Sequence, residues 1–485
     1  MNALLIIALL WPAVAGALVW FAPMARSASA RGKMVVGSLL LELCLVILAC
    51  FLNGAGIMLL QMTPSLQILL HLDIVGCIFS VLMATMWLLG SIFALEYLEG
   101  DAHERSYQAF YLCVLSALIG QCYAGSMITF YVFYELMTML SVPMVVHERT
   151  PEAAAAGVKY LIYSIFGAMM GLLGIFFFNQ TLGTVTFVPG GVSGTTASGA
   201  LLTITFMVIL GFGTKAGMFP LHGWLPTAHP VAPAPASAVL SGVITKAGVL
   251  AILRVIYFLV GPGVIAGTWV QYAFMILTLI TVFMGSMLAY KEPILKKRLA
   301  YSTVSQVSYV LFGLSCLIPD SFAGATLHVV AHSVIKDCLF LCAGAMIHAT
   351  GKTRVSELRG IGKQMPITTW CWTIAALGLI GIPPTSGFVS KWELATGSLI
   401  SNMGVLSVLG PVILIISALL TAAYLLPITI SGFFPGNDYD YTTEGCEAGK
   451  HMTIPMILLA ALVILTGIFA SPIISAAMRV AAAVL

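Results

Sequence analysis

The chain has 485 residues, 60% of them hydrophobic and 8% charged, with a formal net charge of +3. Soluble globular proteins carry about 25% charged residues, so this composition excludes an ordinary water-facing surface and leaves a membrane interior. The small net charge gives no reason to expect a nucleic-acid partner.

The first apolar run, Leu4 to Met24, has no basic residue ahead of it, and Arg26, Arg31 and Lys33 follow it. That order is the reverse of a secretory signal peptide, so the run is expected to be an uncleaved first helix with its C-terminal end at the cytoplasm. Apolar stretches continue to the end of the chain. Spanning helices need about 20 residues each, and the breaks between stretches predict about fourteen of them. They cover 3–24, 34–53, 72–97, 106–123, 126–146, 154–179, 200–222, 229–256, 268–289, 299–318, 322–348, 368–392, 404–432 and 452–479. The expected fold is therefore an all-α polytopic membrane protein. Its ten cysteines are scattered without a C-x-x-C pair and are read as packing residues, with no metal or cofactor expected.

Loop charge tests the count. With the N-terminus outside, the inner connections hold Arg26, Arg31, Lys33, Arg105, Arg149, Lys291, Lys296, Lys297, Arg298, Lys352, Arg354, Arg359, Lys363 and Lys450, most of the 21 basic residues. Arg254 and Arg479 fall near outer ends. This bias satisfies the positive-inside rule and places both termini outside.

Five lysines remain within apolar segments: Lys159, Lys215, Lys246, Lys336 and Lys391. A charge at mid-bilayer costs about 2.5–3.5 kcal/mol even on lenient scales, and Glu135 lies among them in Phe130–Met137. Glu135 is expected to interact with Lys215, either as a fixed interhelical ion pair or as a pair that opens and closes and so changes the lysine's proton affinity. Lys246, in a Gly- and Ala-rich stretch, is read as a relay with room for water beside it. His328, His332 and Lys336 recur every four residues and so share one helical face. Two histidines at this spacing can bind zinc, but no Cys, Asp or Glu lies on the stripe, and a proton relay fits better. Asp337 points about 100° away around the helix and stands apart from the row. Lys391 closes the row. Lys159 is either accessory or a lysine reaching the cytoplasmic surface, and His222 and His229 either line an entrance or cap a turn. Glu42 and Asp73 are assigned no role.

Two helices are interrupted by glycine and proline, at Gly211–Pro220 and Gly378–Gly387. Paired broken helices point to an inverted-repeat transporter. The expected organisation is three N-terminal helices in 1–100, a first five-helix repeat in 101–260, a second in 261–433, and a loop with the last helix in 434–485.

The stretch KAGMFPLHGWLPTAHPVAPAPASA from Lys215 to Ala238, KRLAYSTVSQ from Lys297 to Gln306, and the His328/His332/Lys336 run resemble the antiporter-like subunits shared by respiratory complex I, membrane-bound hydrogenases and Mrp-type sodium/proton antiporters. The resemblance implies fourteen helices, two inverted five-helix bundles and a polar axis on which Glu135, Lys215, Lys246, Lys336 and Lys391 carry translocation. In terms of that resemblance, the lack of a long lateral helix after the core argues against the distal complex I subunit. Lysine rather than glutamate at 391 differs from one complex I subtype, so the expectation leans to an Mrp-like or hydrogenase-type subunit. The chain carries no nucleotide loop, haem motif or cluster ligands. The expected function is therefore proton translocation, alone or with sodium antiport, in a bacterial or archaeal cytoplasmic membrane. Other membrane subunits and a peripheral iron–sulfur redox arm would be its partners. A subunit of a stand-alone Mrp-type antiporter is the alternative.

Overall fold

The structure, a computed structural model, describes residues 2–63, 66–437, 439 and 445–485; the side chains of Asn2, Met24 and Arg26 lie outside this set. Among the described residues, eleven helices are long and apolar enough to cross a membrane. They are α1 (Asn2–Phe21), α2 (Ala28–Cys50), α3 (Ile74–Tyr97), α5 (Met127–Val145), α6 (Pro151–Leu182), α7 (Gly199–Ala216), α9 (Ala234–Val260), α10 (Trp269–Lys291), α12 (Pro319–Thr350), α15 (Val405–Phe433) and α16 (Lys450–Ile468). More polar helices, α4 (Glu104–Cys122) and α11 (Leu295–Ser315), and shorter ones, α8 (Leu225–Val231), α13 (Pro366–Ile380), α14 (Ser386–Leu399) and α17 (Ser471–Val484), lie among them, with a few single helical turns besides. In hydrocarbon every backbone N–H and C=O must be bonded within its own segment, which is why apolar runs this long become helices. Their ends carry ordinary caps: Ser126 and Thr150 accept the N–H groups of Thr129 and Ala153. Gly183 and Gly351 close α6 and α12 in the left-handed region.

Both expected interruptions occur, the first displaced toward the C-terminal end of its glycine-proline stretch and the second near the middle of its own. α7 runs straight through Gly211 and Gly213 and stops at Gly217, whose φ of +76° the glycine permits; helix resumes at Leu225. The second break runs from Gly381 to Thr385, between α13 and α14. A glycine without its left-handed φ does not end a helix, so the break follows Lys215 rather than preceding it.

One element departs from the all-α expectation. Between the second and third expected spans, β1 (Gly56–Gln61) and β2 (Gln67–His71) pair as an antiparallel two-stranded sheet. It docks on the corner between α4 and α5, where Gly125 N–H donates to Leu69 C=O at 2.8 Å and His71 N–H to Tyr123 C=O at 2.7 Å.

Burial separates two kinds of helix. Only about a third of the α1, α2 and α15 windows is buried, and their outward faces are apolar, as lipid contact requires. In contrast, α9 is buried along its whole length and α12 along nearly all of it. Ionisable side chains concentrate on these two, where neighbouring helices rather than lipid surround them.

Arg254, expected near an outer end, is buried in α9 and forms a two-pronged ion pair with Asp73, the N-cap of α3. Arg479 shares a cavity of about 240 Å³ with both residues, so all three stand at one end of the molecule. Arg31, expected in a loop, lies in the first turn of α2 and is paired with Glu104 at the start of α4. Asp73 therefore has a structural role. Burial would raise its carboxyl, but the Arg254 charge and the hydrogen bonds from Arg254 and Gly76 hold it below the usual value of 3.8. A depressed carboxyl stabilises the fold above its unfolded-state value, and that contribution is lost as pH falls through the folded-state value. We expect Asp73→Asn to lower the stability of the detergent-solubilised protein by about 2–3 kcal/mol at neutral pH, because Arg254 stays buried without its countercharge. Thermal unfolding of the two proteins should converge as pH drops below about 4. A difference that stays constant well below that pH would contradict the assignment.

Candidate functional site: a buried row of ionisable side chains

Glu135 stands on α5, half-buried, between the exposed apolar side chains of Val132, Leu136 and Met139. Its Oε1 accepts the Tyr131 hydroxyl at 3.3 Å. Lys215 is the carboxylate's electrostatic neighbour, but the two form no ion pair within 4.0 Å among the described residues. Lys215 instead donates to Tyr160 Oη at 2.8 Å and Ser164 Oγ at 3.0 Å, both on α6. Its ammonium lies 4.4 Å from the centroid of the Tyr160 ring, with the Tyr134 and Trp224 rings within 6 Å. Aromatic faces and hydroxyls stabilise a cation without cancelling its charge. Of the two arrangements open to Glu135 and Lys215, the structure holds the separated one. Tyr160 passes the network on to Ser141 of α5 at 2.7 Å.

Lys246, buried in α9, donates to Ser241 C=O at 2.7 Å and lies 2.6 Å from His332 Nδ1. The turn that frees the Ser241 carbonyl is π-helical, residues 240–244; such widened turns recur at functional sites. The small neighbours of Lys246 serve close helix packing. A Cβ at Gly248 would meet the Phe212 carbonyl and the Lys215 side chain, and one at Gly242 would meet Asp337. Gly248 thus brings α9 against the Lys215 turn of α7.

His332 and His328 follow one another along α12 with ring centroids 6.2 Å apart. His328 Nδ1 is 2.8 Å from Ser390 Oγ on α14 and its ring stacks on Tyr309. Lys391, next to Ser390, donates to the Leu379 and Ile380 carbonyls at 2.5 and 3.0 Å. Those are among the last carbonyls of α13, left free by the helix break, and a cation is favoured there. Lys336 turns elsewhere, to Leu299 C=O at 3.1 Å and Ser302 Oγ at 2.7 Å on α11, and Tyr424 donates to that same serine. The geometry therefore sets Lys246, His332, His328, Ser390 and Lys391 in succession, with hydrogen-bond contacts at Lys246–His332 and His328–Ser390, while Lys336 turns to the side.

Three accessory candidates differ in setting. Lys159 donates to Thr227 Oγ1 at 2.9 Å. His222 stacks on Phe219, and its Nδ1 has no hydrogen-bond partner. His229 is fully buried with neither ring nitrogen bonded, and its electrostatic neighbours are Lys296, Lys336 and Lys246. Lys296 lines a cavity of about 290 Å³ with Glu148, Tyr97 and Thr353. In the sequence Lys296 looks like one more loop charge. Tyr160, Ser164, Ser302, Tyr424 and Ser390, the neutral partners of the lysines, are not marked there either. Only Tyr160-x-x-x-Ser164 carries a signal, since that spacing puts both hydroxyls on one face.

Buried spanning helices, two broken helices and a line of lysines and histidines define a class of ion-translocating membrane proteins. Residues 124–434 match the family model described as NADH:quinone oxidoreductase/Mrp antiporter, TM. NADH-quinone oxidoreductase subunit N of Desulforudis audaxviator is 31% identical over 420 residues, covering 81% of each chain. A subunit of the Na(+)/H(+) antiporter of Alkalihalophilus pseudofirmus is 28% identical over 490 residues, covering 99% of this chain and 97% of its own. In solved structures the same fold occurs in the archaeal membrane-bound sulfane sulfur reductase, with a TM-score of 0.86, 21% identity and 99% of both chains covered. It also occurs in the Mrp complex from Dietzia sp., with a TM-score of 0.86, 21% identity, and 100% and 97% covered. The chain belongs to the NADH:quinone oxidoreductase/Mrp antiporter transmembrane family.

Hydrogen bonds to a charged group contribute about 1.5–3 kcal/mol each. Tyr160→Phe keeps the ring beside Lys215 and removes the hydroxyl, so it should slow ion translocation in membrane vesicles about tenfold without loss of the protein. An unchanged rate would show that this hydroxyl does not hold the lysine.

Proposed function

We propose that this chain is the proton-translocating membrane subunit of a multisubunit complex, driven by a redox reaction in other subunits, such as a membrane-bound hydrogenase or complex I-like oxidoreductase. The observation that carries this reading is the 2.6 Å contact of Lys246 with His332 at the centre of an otherwise buried row. Glu135, Lys215, Lys246, His332, His328 and Lys391 are its members, and Lys336 is a side branch. Separation of Glu135 from Lys215 raises the lysine's tendency to release its proton, and closure reverses it. Alternating the two moves protons between Lys215 and Lys246. An ammonium without lone pairs cannot ligate sodium, so the row itself carries protons. His229, beside the cavity of Lys296 and Glu148, is the candidate entrance, with Lys159 and His222 accessory to it.

In this reading the chain makes fourteen crossings, counting α7 with α8 and α13 with α14 as one crossing each and leaving out the short α17. α4 to α9 and α10 to α15 are then two inverted five-helix units, each with its broken helix fourth. Both termini face outward from a bacterial or archaeal cytoplasmic membrane. Glu135 on an exposed apolar face calls for a neighbouring membrane subunit, since lipid cannot solvate it. A peripheral arm with iron–sulfur clusters would supply the energy.

The full-length similarity to a Na(+)/H(+) antiporter component supports a second reading, a subunit of a stand-alone Mrp-type antiporter. Gentle purification and identification of the companions separates the two. Iron–sulfur and hydrogenase or quinone-site subunits support the first, and small membrane subunits alone support the second. For either, Glu135→Gln should cut proton transport in inverted vesicles by at least about tenfold while the complex still assembles. Transport at the wild-type rate would refute the row.

A further inference from the structure

We propose that Asp337 is a second proton partner of Lys246, so that the row branches at its centre. This rests on reading the row as a proton path. Asp337 follows Lys336 on α12 and is 1% exposed, and its Oδ1 has no hydrogen-bond partner. An ionised carboxylate buried this way is costly unless a cation faces it or a proton neutralises it. Lys246 is the cation within electrostatic reach of Asp337, and Asp337 the carboxylate within reach of Lys246, beyond ion-pair distance. From α4, the Tyr111 phenol is also within its electrostatic reach, but that hydroxyl is already engaged with Trp87 C=O at 2.9 Å.

The local backbone is shaped to admit this carboxyl. Asp337 lies against Gly242 in the π-helical turn, where a Cβ would collide with Oδ1. Ser333, one turn earlier on α12, donates to the Gly242 carbonyl at 2.5 Å, and Lys246 donates to the Ser241 carbonyl in the same turn. An alanine at 242 would close the space. Asp337 and His332 thus approach Lys246 from two faces of one helix, about 140° apart for a spacing of five residues.

The two partners receive the same proton with different consequences. Transfer from the Lys246 ammonium to neutral His332 breaks an N–H bond, forms another, and moves the positive charge along the row. Lys246 and the Asp337 carboxylate stand more than 4.0 Å apart in this state; once they close to contact, transfer breaks the N–H bond and forms O–H, and the two charges cancel. The second transfer leaves a neutral pair, which the low-dielectric interior favours over two charges. Asp337 therefore stores the proton without advancing it, and its return recharges Lys246 for transfer to His332.

The test uses the complete complex in inverted vesicles and in purified form. Asp337→Asn should lower proton transport about tenfold or more, remove one ionisation from its pH profile, and abolish an infrared band of a protonated aspartate carboxyl in carboxyl-labelled protein. A wild-type rate and profile for Asp337→Asn, with transport lost in Glu135→Gln, would overturn the branch and leave the row intact. Wild-type transport in both variants would overturn both. Should Asp337→Asn fail to assemble, the labelled wild-type complex decides. A carboxyl band that changes between resting and energised states supports the branch, and its absence refutes it.

Discussion

Charge held where no solvent can neutralise it is the constraint on which the structure depends. Four ammonium groups, buried on Lys215, Lys246 and Lys336 and half-buried on Lys391, lie inside helices, yet among the described residues none has a carboxylate within 4.0 Å. Their partners are hydroxyls, backbone carbonyls, aromatic faces and one imidazole. A tight ion pair would stabilise each lysine but fix its proton, because the carboxylate would hold the ammonium form. Neutral partners satisfy the donors and leave the proton exchangeable. The ion pairs Arg31–Glu104 and Asp73–Arg254 use arginine, which does not give up its proton. Fixed charges hold the helices together, and the proposed proton row uses lysines with neutral partners.

Irregular backbone follows from the same constraint. Each broken helix releases carbonyls that an intact helix would use internally, and Lys391 takes those of α13. In α7 the break comes after Lys215, and Trp224 donates to the Thr214 carbonyl at 2.8 Å, so the aromatic side chain satisfies the released backbone and flanks the ammonium. The π-helical turn in α9 frees the Ser241 carbonyl for Lys246. Three lysines thus stand at three local departures from regular helix, each surrounded by protein rather than lipid, as backbone irregularity at membrane depth demands.

Much of this is legible in the chain. Long apolar runs mark the spanning helices because a charge or polar turn among them is conspicuous, and the lysines stand out for the same reason. The four-residue spacing of His328, His332 and Lys336 correctly gives one face, although it cannot tell that Lys336 bends away to Ser302. The neutral partners are not legible. Serine, threonine and tyrosine are common in these helices, and nothing local distinguishes Ser302 or Ser390, which meet a cation, from Ser116, which bonds the Leu9 carbonyl. Asp73 and Arg254 are separated by 181 residues, so their pairing is a property of the fold alone. Helical geometry turns Asp337 away from the row, a correct angle that says nothing of Gly242 on the facing helix.

Residues acting as one relay lose function together, whereas independent sites lose it multiplicatively. The most direct measurement is a double-mutant cycle between the ends of the row, Glu135→Gln and Lys391→Met, read as initial proton transport in vesicles of the assembled complex. The two residues touch no common partner, so direct contact cannot couple them. A single relay predicts that the double variant is no slower than the slower single variant. Multiplication of the two single effects would contradict the account.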